Sequence, residues 1–526
     1  MDRLLNRWFI LIFIAVALTV GCGGGGRLRT WYVDPLVKLF PDSPANANAS
    51  GAARWLIARN GHASLQLAVR SSTEVPELQA AVEAPAAGGT ALEATVRWVG
   101  YVAVGSNTPG APGEELVRKA PALFPDPLHE NFPLALKPDY TQSIWITVYC
   151  PPGVEPGDYT GRVILSSGPD QLAAEGFTVR VVAATVPAEQ TLKVTNWFTL
   201  GAARLALHYK GLEQDSPEYW QLLENLGRVM ADHKQNVMLT PVASLVRPSL
   251  SGGTLAYDFA ALDKWVGTFE RAGLIGTIEG GHLLGRAGGY SSPITIPAWV
   301  VERGALVRSD LAPDDPRTEP YLRSMLTALY ARLRAKGWEK RYVQHILDEP
   351  HDLEAPIYNR YAKIVRECLP GVPTVDAVSL HQDIGFFADV LDVWVPVLGS
   401  FDHDLDRIQA HVAKNGQAWY YTCISPQGRY LNRFIDYSLL KVRLLHWFNF
   451  RHNFTGFLHW GGNFWGPRPF ENVQTVINNN RTLLPPGDNA IIYPDTANNS
   501  VLSSIRLEAM RDGIEDYELL TLLARQ

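Results

Sequence analysis

The stretch His-Ile-Leu-Asp-Glu-Pro at residues 345–350 decides how the larger part of this chain folds. Apolar residues lead into two adjacent carboxylates, Asp348 and Glu349. Pro350 follows, and because proline has no amide hydrogen to donate, a strand ends here. The stretch is therefore predicted to be the carboxyl end of a strand, and the proline is expected to hold Glu349 in an extended conformation.

The same strand pattern repeats on both sides of this stretch and alternates with helical periodicity. Strands are predicted near residues 193–200, 236–241, 276–281, 342–348, 374–379, 390–397, 418–423 and 455–461. Helices are predicted at 218–233, 259–272, 319–336, 353–368, 405–414 and 434–452. Eight strands with intervening helices indicate a closed (β/α)8 TIM-like barrel over residues 188–483. A doubly wound open sheet is the alternative, but no glycine-rich phosphate fingerprint follows the first strand.

The flanking regions differ in pattern from the barrel region. Residues 28–187 contain short alternating runs separated by Pro- and Gly-rich turns, which is typical of an all-β sandwich. Residues 484–526 are predicted to form a small extension with a strand near 490–493 and a helix over 503–523. The fold class is thus α/β with an all-β N-terminal domain. The sandwich and the barrel are expected to meet near Pro187 as separate compact units.

The first 22 residues have the pattern of an export signal. Arg3 and Arg7 flank a basic start, residues 8–18 are apolar, and Cys22 follows a small residue and precedes four glycines. The apolar run is too short to cross a bilayer. The pattern resembles a bacterial lipoprotein processing site, and an ordinary secretory signal is the alternative. We therefore expect a lipid-anchored protein of the cell envelope that faces the periplasm or the exterior and contacts the membrane through lipidated Cys22.

The composition limits which binding partners and cofactors are expected. The net charge of −6 argues against nucleic acid as a partner. Cys150, Cys368 and Cys423 are scattered without paired spacing, so neither a disulfide framework nor a metal site is predicted, and no cofactor is expected. The 15 tryptophans and 20 tyrosines are many, and exposed aromatic rings can stack on the C–H faces of a glycan or glycoconjugate, but core packing is the default interpretation of any one of them.

The Asp348–Glu349 pair is the candidate catalytic centre, because barrel enzymes place their catalytic groups at the carboxyl ends of strands. A surface acidic pair at the start of the next helix is the structural alternative. Most glycosidases use two separated carboxylates, and many barrel glycosidases carry the second one on strand seven. The predicted seventh strand, at 418–423, contains no acid. Glu279 and the acidic group Asp402, Asp404 and Asp406 remain as further candidates. An adjacent pair without such a partner fits substrate-assisted hydrolysis, in which the sugar's own 2-acetamido oxygen attacks the anomeric carbon.

Four blocks of the chain together resemble glycoside hydrolase family 123. They are the Asp348–Glu349 pair, Ile-Glu-Gly-Gly-His at 278–282, Gly-Phe-Leu-His-Trp-Gly-Gly-Asn-Phe-Trp at 456–465, and Ser-Ile-Arg-Leu-Glu-Ala-Met-Arg-Asp-Gly-Ile-Glu-Asp-Tyr-Glu at 504–518. The last two blocks are specific. The resemblance extends over nearly the whole chain after the signal segment.

The resemblance implies a retaining β-N-acetylgalactosaminidase-type enzyme that uses neighbouring-group participation. By this match Asp348 would orient and polarise the acetamide, and Glu349 would act first as general acid and then as base. We expect aromatic and polar residues at the strand ends to contact the sugar: Glu279, His282, Tyr420, Tyr421, Trp460, Asn463 and Trp465. The structural alternative for each aromatic residue is packing in the core. For His282 and Asn463 it is hydrogen bonding to the backbone of loops.

Two other functions remain open on the sequence. One is a non-catalytic carbohydrate-binding surface lipoprotein that keeps the barrel as a platform. The other is a two-carboxylate retaining glycosidase that uses Glu349 with Glu279. The charges of the last helix, by contrast, are expected to form structural ion pairs along one helical surface.

The anchor prediction can be tested directly. Replacing Cys22 by Ser removes the only predicted lipidation site, so the variant is expected to move from the membrane fraction to the soluble fraction. Fractionation followed by immunoblotting measures this, with Cys150→Ser as the matched control. A Cys22→Ser protein that stays in the membrane fraction would contradict the prediction.

Overall fold

The computed structural model describes residues 28–45, 53–289, 291–379, 383–415, 417–477 and 482–525. The predicted signal segment and Cys22 lie outside the described residues. Within these ranges, no helix combines the length and the apolar character that a membrane crossing requires.

The N-terminal region is all-β, as predicted, and consists of two sheets. Its strands are β1 (Arg29–Val33), β2 (Ala53–Arg59), β3 (Gly61–Arg70), β4 (Val75–Ala87), β5 (Thr90–Ala91), β6 (Glu93–Val104), β7 (Ala122–His129), β8 (Leu134–Leu136), β9 (Thr141–Cys150), β10 (Gly157–Ser167) and β11 (Asp170–Thr185). One sheet has the order β1-β3-β9-β6-β7, and the other has the order β2-β11-β10-β4-β5 with β8 on β4.

The two sheets enclose a shared apolar core. Leu65 and Ile144 from the first sheet pack in one cluster with Val163 and Val179 from the second, and all four are fully buried. The alternation of apolar and polar residues along each strand produces this inward-facing set, because successive side chains point to opposite faces.

The second region alternates strands and helices. Its strands are β12 (Lys193–Asn196), β13 (Val237–Thr240), β14 (Arg247–Ser251), β15 (Thr254–Asp258), β16 (Thr277–Gly280), β17 (Gly285–Arg286), β18 (Ile294–Glu302), β19 (Ala305–Leu311), β20 (Tyr342–Gln344), β21 (Val375–Val378), β22 (Val393–Pro396), β23 (Trp419–Tyr421) and β24 (Gly456–His459). Its helices are α1 (Ala202–Leu205), α2 (Pro217–Asp232), α3 (Val242–Leu245), α4 (Ala260–Arg271), α5 (Thr318–Lys336), α6 (Ala355–Cys368), α7 (Phe401–Asn415) and α8 (Leu439–His452).

Parallel sheets form the centre of this region. Six strands pair in the order β20-β16-β13-β12-β24-β23, and β21 pairs with β22 in a separate two-stranded parallel sheet. Single parallel bridges lie on either side of that smaller sheet: Gln344 with Thr374, Trp394 with Ala418, and Val397 with Tyr421. All eight strands lie where the sequence predicted them, although each is shorter than predicted.

A three-stranded antiparallel insertion separates β16 from α5. It consists of β17, β18 and β19, in that order, and was not predicted from the sequence. Because β17 follows the carboxyl end of β16 directly, the insertion begins at the same end of the parallel strands as the Asp348–Glu349 pair.

The C-terminal segment contains β25 (Val476–Ile477), β26 (Thr482–Leu483), β27 (Tyr493–Asp495), β28 (Ser500–Leu502) and helix α9 (Ile505–Ala524). Helix α9 packs on α8 and on β3 and β7 of the first region. The approach of α9 to α8 requires a glycine, since a Cβ at Gly513 would lie 2.3 Å from the Arg443 carbonyl oxygen. The domain boundaries predicted from the sequence, including the junction near Pro187, stay predictions.

The charges of α9 do form ion pairs, but most partners lie outside the helix. Arg506 donates two hydrogen bonds of 2.8 Å to Asp126 of β7, and both side chains are completely buried. Glu508 pairs with Arg97 of β6 at 2.5 Å. The expected pairing along one helical surface occurs only between Glu508 and Arg511, at 2.6 Å, among the described pairs within the helix at that spacing. Burial against the first region explains the difference, because buried charges need partners from the surfaces that cover them.

The buried Arg506–Asp126 pair is expected to dominate the attachment of α9. Asp126→Asn should lower the free energy of unfolding by about 3–5 kcal/mol, because it leaves a buried guanidinium without its counter-charge. The exposed pair between Arg54 and Asp158 provides the control, and Asp158→Asn should cost at most about 1 kcal/mol. Urea denaturation measures both, and equal losses would contradict the expected difference.

Candidate active site

Glu349 lies in a conformation that the sequence did not predict. Its φ angle is 42°, in the left-handed region, so the expectation of an extended residue before Pro350 was wrong. Arg286 provides the physical reason, since it donates hydrogen bonds to the carbonyl oxygens of Asp348 (2.9 Å) and Glu349 (3.2 Å). A non-glycine residue in this region is strained, and such strain persists where surrounding contacts enforce it.

Arg286 comes from β17 of the insertion. Its guanidinium also forms a 2.6 Å ion pair with Glu354, and Glu354 in turn accepts a 2.8 Å hydrogen bond from the main-chain N–H of His351. Arg286 therefore connects the turn at Asp348 and Glu349 to the single-turn 3-10 helix Asp352–Glu354 that follows it.

Asp348 opens onto a recess of about 400 Å³. The recess is lined by His282, Leu284, Gly285, Arg286, Gly289, Leu347 and Asp348. Asp348 keeps exposed surface at its edge. Surrounding protein nevertheless crowds the carboxyl group, and this loss of solvation, together with the charge of Asp376, raises the pKa of Asp348 to about 6.

Glu349 faces the end of β23. The hydroxyl group of Tyr421 donates a short hydrogen bond to its carboxylate. Burial and the adjacent charge of Asp348 raise the pKa of Glu349 to about 7, while Tyr421 and Arg286 act in the opposite direction. The two neighbouring acids are therefore both available for proton transfer near neutral pH, and an ionised Asp348 favours the protonated form of Glu349.

A buried chain of three ionisable groups lies next to the pair. Glu279, at 0% exposure, accepts a 2.7 Å hydrogen bond from one ring nitrogen of His345, and Asp376 accepts a 2.7 Å bond from the other. Burial alone would lower the pKa of His345, but the two carboxylates outweigh it and raise it to about 10. His345 is thus an imidazolium held between two carboxylates, and we call Glu279, His345 and Asp376 the ion chain.

Glu279 itself accepts hydrogen bonds from three side chains. Besides His345, it accepts hydrogen bonds from Thr195 (2.7 Å) and from the indole of Trp197 (3.0 Å). Burial would raise the pKa of Glu279, but these bonds hold it below its ordinary value. Glu279 therefore lies beneath the site as a fixed anion, with no surface exposed to a ligand.

His282 lies between the recess and the ion chain. Its Nε2 atom is 3.5 Å from Asp376, and its ring packs against those of Trp197 and His345. Burial and the positive charge of His345 lower the pKa of His282 to about 3, so it is neutral. His282, His345 and Asp376 each have one donor atom within 4.8 Å of the others, but both ring nitrogens of His345 are already bonded to carboxylates.

Three residues predicted to contact substrate point elsewhere. Tyr420 is fully buried and donates to the Leu445 carbonyl of α8, because neighbouring strand residues face opposite sides and Tyr421 takes the side of the site. Asn463 exchanges hydrogen bonds with the backbone of Thr199. Trp465 is 3% exposed and donates to the Ile492 carbonyl. The prediction that these three line the site is not supported.

The remaining predicted residues are Trp460 and three aspartates of α7. Trp460 follows β24, is partly exposed, and donates a 3.2 Å hydrogen bond to the buried carboxylate of Asp488. Asp402 and Asp404 lie on α7, where Asp402 contacts Arg429 and Tyr430 and Asp404 contacts Arg407. Asp406 lies on the same helix. These contacts account for Asp402 and Asp404 as part of a polar helix surface.

Sequence reasoning missed Arg286, His345 and Asp376. Asp376 carried a signal, because it is the single acid of the predicted strand 374–379 and lies between the apolar residues Val375 and Ala377, and a buried acid needs a partner. Arg286 carried none, since the insertion that delivers it has no sequence feature tied to the acidic pair.

Two larger cavities lie away from the acidic pair. They measure about 480 and 610 Å³ and lie between the first region, α2 and α9. None of the predicted site residues lines either cavity, so the smaller recess beside Asp348 is the candidate active site on chemical grounds.

Comparison with known families matches most of the chain to one family. The model described as "Glycoside hydrolase 123, catalytic domain" matches residues 202–523, and that described as "Glycoside hydrolase 123 N-terminal domain" matches residues 46–167. No curated protein matches the sequence.

One solved structure agrees with this match at the level of the fold. A family 123 glycoside hydrolase from Clostridium perfringens, analysed for glycolipid glycan hydrolysis, has a TM-score of 0.73 at 16% identity, covering 94% of this chain and 88% of that one. A family 39 glycoside hydrolase from Bacteroides cellulosilyticus has a TM-score of 0.39 at 10% identity, with coverage of 84% and 80%. A Bacteroides ovatus family 5 xyloglucanase has a TM-score of 0.33 at 9% identity, with coverage of 89% and 99%.

The contact between Tyr421 and Glu349 makes a measurable prediction. The Tyr421 hydroxyl stabilises the carboxylate form, so Tyr421→Phe should raise the pKa of Glu349 above about 7, by about one unit, as expected for a hydrogen bond to a charged group. Difference infrared spectroscopy of the carboxyl band, assigned with Glu349→Gln, measures the titration. Tyr420→Phe is the matched control and should leave that pKa unchanged. A downward shift in Tyr421→Phe, or equal shifts in both variants, would contradict the assignment of faces.

Proposed function

Because the chain belongs to glycoside hydrolase family 123, we propose that it cleaves a terminal β-linked N-acetylhexosamine from glycans with retention of configuration. N-acetylgalactosamine is the proposed sugar, on the strength of the family resemblance. The proposed mechanism is substrate-assisted: the 2-acetamido group of the sugar, and no protein carboxylate, attacks the anomeric carbon.

The first step assigns one role to each acid. Asp348 accepts the acetamide N–H and orients the carbonyl oxygen toward the anomeric carbon. The carbonyl oxygen forms a bond to that carbon as the glycosidic bond breaks, and Glu349 donates its proton to the leaving oxygen. The product of this step is an oxazolinium ion, whose positive charge Asp348 stabilises.

The second step reverses the role of Glu349. The Glu349 carboxylate removes a proton from a water molecule, which attacks the anomeric carbon while the ring bond to the acetamide oxygen breaks. The acetamide is regenerated, Glu349 recovers its proton, and the two inversions give net retention.

One observation carries the proposal: the two adjacent acids occupy different surroundings. On a regular strand Asp348 and Glu349 would point to opposite sides, but the left-handed backbone of Glu349 breaks that geometry. Asp348 opens onto the recess and Glu349 meets Tyr421. Burial raises the pKa of both acids, and the charge of an ionised Asp348 raises that of Glu349 further, so an anionic Asp348 favours a protonated Glu349, as their proposed roles require.

The surroundings of Glu279 argue against the two-carboxylate alternative. A nucleophilic carboxylate has to reach the anomeric carbon, but Glu279 is buried at 0% exposure and accepts bonds from Thr195, Trp197 and His345. Its role in the proposal is structural support beneath the site.

We also propose that the eight parallel strands close into a (β/α)8 barrel. Three isolated parallel bridges support this, since they lie between the six-stranded and two-stranded sheets on both sides: Gln344 with Thr374, Trp394 with Ala418, and Val397 with Tyr421. In such a barrel the acidic pair would lie at the carboxyl end of the fourth strand, where barrel enzymes carry their catalytic groups.

The cellular setting is proposed from the sequence and the relative. A lipid anchor at Cys22 would hold the enzyme in the cell envelope. The Clostridium perfringens relative was analysed for hydrolysis of glycolipid glycans, so we propose a glycolipid or related glycoconjugate as substrate.

Two variants separate the two acids. Glu349→Gln should lose most activity on substrates with poor leaving groups and much less on an activated aryl glycoside, because an acidic phenol leaves without protonation. Asp348→Asn should reduce kcat for both substrates by about 10²–10³, the usual cost of losing transition-state stabilisation of this kind. Steady-state kinetics on aryl glycosides with and without the 2-acetamido group measures both effects.

Controls fix the interpretation of these kinetics. Asp404→Asn, on the α7 surface, should leave the rates unchanged. Azide should not rescue Glu349→Gln through a glycosyl-enzyme ester, and a thiazoline mimic of the ring intermediate should inhibit the wild type. A covalent sugar trapped on a carboxylate by a 2-fluoro glycoside would overturn the substrate-assisted mechanism.

A further inference from the structure

We propose that the ion chain Glu279–His345–Asp376 is a positioning device for Asp348: Asp376 fixes the peptides that lead to Asp348, and the positive charge of His345 keeps Asp348 anionic. The proposal rests on the proposed function, because it concerns the carboxylate assigned to hold the acetamide group. It assigns a purpose to three buried ionisable groups that take no part in bond making or breaking.

The positioning role follows from the contacts of Asp376. Its Oδ2 atom accepts hydrogen bonds from the main-chain N–H groups of Ile346 (2.9 Å) and Leu347 (3.4 Å) and from the hydroxyl of Tyr358 (2.6 Å). Ile346 and Leu347 are the two residues immediately before Asp348. A side chain on β21 therefore holds the segment that ends at Asp348, beyond the last residue of β20.

The electrostatic role follows from the charge balance. Asp376 Oδ1 accepts the Nδ1 proton of His345 and Glu279 accepts the Nε2 proton, each at 2.7 Å, and all three side chains are completely buried. The protonated chain carries a net charge of −1. Without the proton on His345 it would carry −2 beside Asp348, which would favour protonation of Asp348.

Several groups face Asp348, and their signs matter. They are Asp376, His345, Arg286, Glu349, Tyr421 and Cys423, with His282 across the recess. Among the charged ones, Asp376 raises the pKa of Asp348, whereas His345 and Arg286 lower it. Around His345 itself lie Glu279, Asp376 and the neutral ring of His282.

Hydrogen bonding explains this cluster better than metal binding does. A metal ion would need a lone pair on a ring nitrogen of His345, but both nitrogens lie at hydrogen-bond distance from carboxylate oxygens. The short spacing between His345 and Asp376 fits a shared proton and leaves no room for an ion between them.

Two variants that change the charge of the ion chain in opposite directions provide the test. In a profile of kcat/KM against pH on an aryl 2-acetamido-β-galactoside, the acidic limb reports the ionisation of Asp348. His345→Gln removes a positive charge, so the limb should move to higher pH by about one unit. Asp376→Asn removes a negative charge while Glu279 still holds His345 cationic, so the limb should move to lower pH by about one unit. A role limited to packing would not move the limb in opposite directions.

A second measurement does not depend on activity. ¹⁵N NMR of histidine-labelled protein should show both ring nitrogens of His345 protonated at pH 8, with the resonance assigned by its loss in His345→Gln. His129→Gln, on a strand of the first region, is the matched control and should change neither this resonance nor the acidic limb. This measurement remains decisive even where Asp376→Asn does not fold.

The outcomes separate this proposal from the proposed function. A neutral His345 at pH 8, an acidic limb that stays fixed or moves the same way in both variants, or one bound metal ion per chain that is lost in His345→Gln would each overturn the ion chain. If the acidic limb does not move as predicted while Asp348→Asn still reduces kcat on 2-acetamido glycosides as proposed, the proposed function stands without the ion chain. If the wild type cleaves no 2-acetamido glycoside, the proposed function fails. The NMR measurement of His345 at pH 8 then still shows whether the ion chain carries its proton.

Discussion

A charge that is removed from water has to be matched by an opposite charge or by hydrogen bonds, and this constraint shapes the site. His345 lies immediately after β20, Glu279 on β16 and Asp376 on β21, so the bonds between them tie together three of the parallel strands. Residues 345 to 347 lie beyond the end of β20, where Asp376 accepts hydrogen bonds from Ile346 and Leu347, and main-chain bonds join His345 to Gly280 and Leu284 to Ile346. The position of Asp348 thus depends on contacts with neighbouring strands as well as on its own strand.

The same constraint operates where the first region meets the rest of the chain. Arg506 is fully buried, with Asp126 as its counter-charge and main-chain carbonyls as further acceptors. Helix α9, the last element of the chain, thereby contacts α8 on one side and the first region on the other. The all-β region consequently shares its interface with the part of the chain that carries the acidic pair, and the two form one continuous apolar core that includes Trp145 and Leu223.

The regular elements were predictable because their signals are local. Strand and helix periodicity placed the eight parallel strands within a few residues, and an apolar run ending in Asp348 and Glu349 marked the acidic pair. The contacts that shape the site are not local. The sequence could not say whether Tyr420 or Tyr421 faces it, because both fit a strand end equally well. Nor could it predict that an insertion after β16 would deliver Arg286, or that Arg286 would hold Glu349 in a left-handed conformation against the preference of a residue before proline.

The central claim is that the substrate's acetamide is the nucleophile. A series of aryl β-galactosides whose 2-acetamido group carries zero, one, two or three fluorine atoms tests it most directly, because fluorine withdraws electrons from the carbonyl oxygen without changing the leaving group. The account predicts that kcat/KM falls steeply with each fluorine in the wild-type protein. A rate that is independent of fluorination would show that a protein carboxylate attacks instead, and would contradict the account.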